Sequence, residues 1–190
     1  PRLLRASGVK NRHLGLHLHI HPAAGVTGLM PWKVRGWIGT MQSYYVDSLL
    51  KTHRTLLLAT FPPPGIGYSA GSIPIKDLPL YPYLASIGVQ TSDECTGKVL
   101  GFRPMGVATY SVCSDDLEKL KTGIELAAEI LFAAGARKVY PPLKRESVAT
   151  SINELKQLLR DAKPKAFKLS AYHPMSTARM AKDPDAGVVD

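Results

Sequence analysis

The sequence holds only two cysteines in 190 residues, Cys95 and Cys113, with no CxxC and no Cys/His spacing of the zinc type. That excludes a disulfide framework and a structural zinc module. A single bridge between the two stays open, but the reading is a pair of free buried thiols in a reducing compartment. No run of about 18 apolar residues occurs, so no segment is expected to span a bilayer. No secretory signal is visible in a chain that starts at Pro1, which leaves localisation open. Acidic residues are scarce, 15 against 24 Lys and Arg, for a formal charge of +9. The excess sits in two stretches: residues 1–54 carry eight basic residues against Asp47 alone, and residues 137–168 carry nine against three acids. Such segments suit nucleic acid, anionic lipid or an acidic substrate. With no aromatic-interleaved basic helix and no RNP-like or zinc-finger pattern, nucleic acid is not expected, and a solvated basic face is the reading.

What is present describes a globular chain. Hydrophobic residues make up 45% and charged residues 21%, enough for one domain with a sizeable core or two small ones. Leu3, Leu4 and Ala6 form a helix stub stopped by Gly8. From His13 to Pro22, His17, His19 and His21 alternate with Leu16, Leu18 and Ile20. That is the period of a half-buried strand, with the three imidazoles on one face. Same-face neighbours on a strand point too parallel to close a metal site without carboxylate or thiolate help, so these histidines read as structural.

Gly25–Val34 and Gly36–Val46 read as strands and a turn, with Trp32, Trp37, Tyr44 and Tyr45 as core or as the lining of an apolar channel. Leu56–Phe61 is a buried strand entering Pro62-Pro63-Pro64-Gly65, and the Pro/Gly-rich Pro62–Pro82 is a candidate lid or access loop. Leu84–Gln90 is a strand, and Lys98–Val112 a hairpin turning at Arg103-Pro104-Met105-Gly106. Ser114, Asp115 and Asp116 then open a helix whose Leu117, Leu120, Ile124, Ala127, Leu131 and Ala134 recur at helical spacing, closed by Gly135. After a basic surface linker, Ser151 and Glu154 form a capping box for a helix that turns Ile152, Leu155, Leu158 and Leu159 inward and stops before Pro164. Phe167–Tyr172 reads as a last strand. Together these elements predict an α+β fold, an antiparallel sheet with helices packed on one face.

That last strand delivers Tyr172-His173-Pro174-Met175-Ser176-Thr177-Ala178-Arg179-Met180, followed by Asp183-Pro184-Asp185-Ala186-Gly187-Val188-Val189-Asp190. The pattern is neither helical nor alternating, so it is a shaped loop. Pro174 stiffens the backbone at His173 and projects an imidazole suited to proton transfer. The stretch resembles the HPxGTxRMG…DPxxGVVD segment of glucose-methanol-choline (GMC) oxidoreductases. The Pro1–Asn11 stub is similar to the second half of another GMC signature, and the order of features follows the family's substrate-binding part throughout. The segment ending Ile130-Leu131-Phe132-Ala133-Ala134-Gly135-Ala136 looks most like the fatty-alcohol-oxidase branch.

The resemblance implies an FAD-dependent alcohol oxidoreductase. His173 would be the proton acceptor, with Pro174, Met175 and Thr177 facing the flavin and an alcohol, long-chain or apolar, as substrate. It also implies a connecting segment over 1–22, a substrate-binding domain over 23–172 and a catalytic loop over 173–190. Arg179 would pair with the flavin or with Asp183 or Asp185. The GxGxxG dinucleotide fingerprint is missing, since Gly65-Ile66-Gly67 lacks its last glycine and a following helix, so FAD would be held mainly by regions outside this chain. As an isolated polypeptide it is expected to be inactive. A stand-alone binding module, or one subunit of a split enzyme with a flavin-domain partner chain, is the alternative. Ser176 stands where the family usually has glycine, and Ala181 where RMG would end.

Overall fold

The computed structural model describes residues 1–61, 63, 73–101, 106–183 and 185–189. The Pro62 and Pro64–Gly65 loop head, Gly65-Ile66-Gly67, the rest of the candidate lid up to residue 72 apart from Pro63, and the Arg103-Pro104-Met105 turn lie outside the described residues. The chain divides into two compact units, one of residues 22–92 with 117–170, the other of 1–21 with 93–116 and 171–190.

The larger unit is built on an antiparallel sheet. Its strands are β1 (Ala23–Leu29), β2 (Tyr45–Val46), β3 (Thr55–Thr60) and β4 (Leu84–Thr91), joined by a short strand at Lys138–Tyr140. The spatial order is β2, β3, β4, β1 and then Lys138–Tyr140. Register pairs Val26 with Ile87 and Ala24 with Val89, and Val89 in turn with Leu57. These apolar residues therefore share one face, because side chains alternate along each strand. Against that face lies the long helix Ser114–Ala133, burying Leu117, Leu120, Ile124, Ala127, Ala128 and Leu131. Glycines set its distance. A Cβ on Gly123 would sit 2.8 Å from the Thr55 methyl and collide with Val89, and one on Gly28 would press on Leu131 and Ala136. Gly135, at φ +93°, ends the helix as expected.

The helix Ile152–Arg160 packs beside the long one. Lys156 reaches Glu125 and Glu129, both at 3.9 Å, and Lys121 donates to the Arg160 carbonyl. Its N-cap is Ser151, whose hydroxyl accepts the Glu154 N–H. Glu154 Oε2 also accepts from the Thr150 N–H and hydroxyl, which reinforces the cap from the residue before it. Leu155 and Leu159 are buried, whereas Leu158 is exposed, a correction to the inward stripe. The fold is α+β, an antiparallel sheet with helices packed against it.

Four local readings are corrected. The basic linker contains the edge strand Lys138–Tyr140, whose Val139 pairs with Gly28 on one side and bridges Ala149 on the other. The later part of the candidate lid is a 3-10 helix, Ile75–Tyr83, with Pro79 and Pro82 inside it. Proline removes the donors an α-helix needs. Asp77 fastens it, accepting from Tyr140 OH at 2.7 Å and Lys138 Nζ at 2.9 Å beside the Ile73, Leu84 and Tyr140 cluster. Phe167–Tyr172 is no strand: Phe167 bridges Leu143 and Ser170 bridges Ala23, separate contacts without a shared ladder. Between Gly36 and Val46 only Tyr45–Val46 is extended, Gln42 turns at φ +57°, and Trp32, Trp37, Tyr44 and Tyr45 are exposed and not core.

Candidate active site

The smaller unit carries the His173 loop. A helix stub, Arg2–Ala6, opens the chain, and a two-stranded hairpin pairs Lys98–Leu100 with Val107–Thr109. Residues 15–19 run between that hairpin and the C-terminal loop. On one side Leu18 and Gly97 exchange backbone hydrogen bonds at 2.9 and 2.7 Å, and the Gly15 carbonyl accepts from Val99 at 2.6 Å. On the other side His19 and Met175 exchange theirs at 3.1 and 2.9 Å, and Gly15 donates to the Thr177 carbonyl at 2.8 Å. Met175 and Thr177 are thus held by main chain, which fixes backbone position without spending their side chains.

His173 lies just before this clamp, exposed, as are Tyr172 and Pro174. Its ring meets the His21 ring edge to face at 6.3 Å, and its carbonyl lies 3.4 Å from His21 Nδ1. Met175 is 49% exposed. Ser176 adopts φ +70°. That left-handed conformation is free to glycine and costs another residue about 1–2 kcal/mol, a physical reason for glycine at the corresponding position of the family pattern.

The expected histidine strand is overturned. His17 and His21 have φ of +61° and +50°, which breaks the alternation and sends the imidazoles to three different partners. His17 Nε2 lies 3.2 Å from His13 Nδ1 with the rings stacked, His19 Nδ1 lies 3.4 Å from Asp93, and His21 turns to His173. Burial first, then the charges of Arg179, His13 and His19, lowers the His17 pKa. Arg179 itself donates from Nε to the Ala186 carbonyl at 2.7 Å, while Asp185 meets Arg12 at 3.6 Å, so the expected Arg179 pairing with Asp183 or Asp185 is not formed. With Val188 and Ala181 bonded to Arg179 and Val189, the 179–189 segment closes on itself.

Two buried carboxylates organise this unit: Asp93, which the sequence did not single out, and Asp116, read there only as a first-turn acid of the long helix. Asp93, 5% exposed, accepts from Ile20 N–H at 2.9 Å and His21 N–H at 3.3 Å. Burial is the largest influence and raises its pKa, but the Ile20, Asp93 and His21 N–H groups, with the Tyr110 hydroxyl nearby, together outweigh it and hold the carboxyl below its usual range. The neighbouring Tyr110 is pushed up by burial and by Asp93, and so stays protonated. Asp116 accepts from the Glu94 and Cys95 N–H groups at 3.1 Å. Beside it Cys95 and Cys113 form a disulfide, which corrects the free-thiol expectation. Two cysteines 18 residues apart give no sign of pairing until the hairpin between them is known to fold back.

The loop thus presents an exposed imidazole, a half-exposed thioether and a backbone held by its neighbours. The pyrophosphate cradle is a different matter, since the sequence has no GxGxxG to form one.

Comparison with known proteins bears on the family of the chain. Residues 103–190 match the GMC oxidoreductase family, in its C-terminal part, so the chain carries a GMC oxidoreductase C-terminal region. Among its relatives is an uncharacterized GMC-type oxidoreductase of Mycobacterium tuberculosis, 32% identical over 195 residues that take in all of this chain and 31% of the relative. A long-chain-alcohol oxidase of Arabidopsis thaliana is 25% identical over 218 residues, covering all of this chain and 29% of that enzyme. The chain therefore spans about three-tenths of the length of these relatives.

Proposed function

We propose that these residues are the substrate-binding and catalytic-base portion of an FAD-dependent alcohol oxidoreductase that converts an alcohol to an aldehyde or ketone. The observation that carries this reading is the main-chain clamp of His19 on Met175 and Gly15 on Thr177, which leaves the His173 imidazole exposed beside a fixed backbone. His173 accepts the hydroxyl proton of the alcohol, a general-base task that imidazole side chains commonly perform. Met175, Pro174 and Thr177 shape the ring-facing surface. When bound, FAD supplies the two-electron acceptor for the hydride that leaves the alcohol carbon. Residues 1–22 serve as the connection, 23–172 as the substrate-binding domain and 173–190 as the catalytic loop. The alcohol-oxidase relatives favour a long-chain or otherwise apolar alcohol.

The test is anaerobic flavin reduction by alcohols in the natural full-length product. His173→Ala should retain flavin and lower the reduction rate by about 10²–10⁴-fold. A variant that reduces its flavin at the unaltered rate removes His173 from the reaction. A full-length product that binds no flavin, alone or with another chain, replaces the enzyme by a non-catalytic binding module.

A further inference from the structure

One end of the larger unit's sheet, where β1 and β3 finish and β4 begins, carries a rim of aromatic and basic side chains. Backbone hydrogen bonds fix its parts together. Met30 donates to the Tyr83 carbonyl at 2.9 Å, Val34 and Arg35 donate to the Pro82 carbonyl, and Arg137 donates to the Leu29 carbonyl at 2.8 Å. On this frame Trp37 stacks on Tyr81 at 5.6 Å and on Phe61 at 6.4 Å, and the Trp32 indole lies by Gly135.

The rings are not sunk in a core. Trp32 is 52% exposed, Trp37 49%, Ile38 68% and Ile75 61%. Interspersed with them, Lys33, Arg35, Lys76 and Arg137 are all exposed. From Met30 to Val46 there is no acidic residue, and Asp77 is turned inward to Lys138 and Tyr140. The rim is therefore apolar and cationic at once.

We propose that this rim seats on an anionic phospholipid bilayer. Indole rings favour the headgroup level, where an apolar body and a polar N–H are both satisfied. Ile38 and Ile75 supply aliphatic contact with the acyl boundary, and four cations meet the negative surface potential of the leaflet. No helix among the described residues is long and apolar enough to cross a membrane, and the rim itself offers an interfacial mode of attachment. Single-stranded nucleic acid is the poorer fit, because Ile38 and Ile75, the most exposed apolar side chains of the rim, give a base no aromatic face to stack on.

The experiment is co-sedimentation of the natural full-length product with phosphatidylcholine vesicles, with and without about 30% phosphatidylserine. The expected result is binding to the anionic vesicles that weakens at high salt. Lys33→Glu/Lys76→Glu should reduce it about tenfold or more, and Ile38→Ser should reduce it severalfold, with melting temperatures near the parent's. Absence of co-sedimentation, or equal binding by parent and variants, overturns the proposal and leaves the rim to the rest of the protein's own chain or to an acidic protein. Alcohol-driven flavin reduction, measured on the same preparations without vesicles, reports separately on the proposed enzyme.

Discussion

Replacing Asp93 is the sharpest probe of how the His173 loop is held. The carboxylate takes the Ile20 and His21 N–H groups, and Ile20 follows His19, whose backbone grips Met175. Hydrogen bonds to a charged group contribute about 1.5–3 kcal/mol each. Asp93→Ala, which leaves both donors unmatched, should therefore cost about 3–5 kcal/mol, while Asp93→Asn keeps one acceptor and should cost about 1–3 kcal/mol. The sign of the pH dependence follows from the lowered pKa. The folded form holds its proton less tightly than the unfolded chain, so the stabilisation is complete above the unfolded value near 3.8 and is lost as pH falls through the folded value. Urea denaturation of parent and Asp93→Asn at neutral pH and at pH steps below about 4 measures it. The stability gap should be widest at neutral pH and close in acid. A gap under about 0.5 kcal/mol, or one that does not change with pH, refutes the assignment of Asp93 as the anchor.

Three further outcomes follow from packing. Gly123→Ala gains about 1 kcal/mol of helix propensity but drives a methyl into Val89 and Thr55, and overpacking of about 1–3 kcal/mol should win, giving a net loss in urea midpoint. Cys95→Ser/Cys113→Ser opens a loop of 18 residues and should cost about 3 kcal/mol, with the parent, denatured without reductant, showing neither thiol to a thiol reagent. Tyr140→Phe removes the 2.7 Å bond to Asp77 and should cost about 1.5–3 kcal/mol in thermal or urea unfolding.

What was legible in the sequence was what is encoded locally. The long helix announced itself because Leu117, Leu120, Ile124 and Leu131 must recur at 3.6 residues to face one sheet, and Ser151 with Glu154 capped the next helix within four positions. The central strands were legible for the same reason, as short apolar runs with clear ends. The histidine segment misled because its alternation is genuine, yet φ values above zero at His17 and His21 cancel the period on which the inference rests. No side-chain pattern reports a backbone sign at a histidine.

The remaining gaps are of one kind: residues whose meaning depends on a partner far away in sequence. Asp93 meets Ile20 across 73 positions and Asp77 meets Tyr140 across 63, so each reads locally as an ordinary acid near a turn. The strand Lys138–Tyr140 is only three residues long, and its pairing with β1 is what makes it a strand. Ser176 is the instructive contrast. As a departure from the family's glycine it was visible in the sequence, and its φ of +70° shows what the departure costs: a backbone that glycine would adopt freely is here imposed on serine. Strain of that kind persists only where neighbours hold it, and the bonds from His19 to Met175 and from Gly15 to Thr177 flank the strained residue on both sides. The loop that presents His173 is therefore shaped by residues more than 150 positions away, and its sequence alone names the residues without fixing their form.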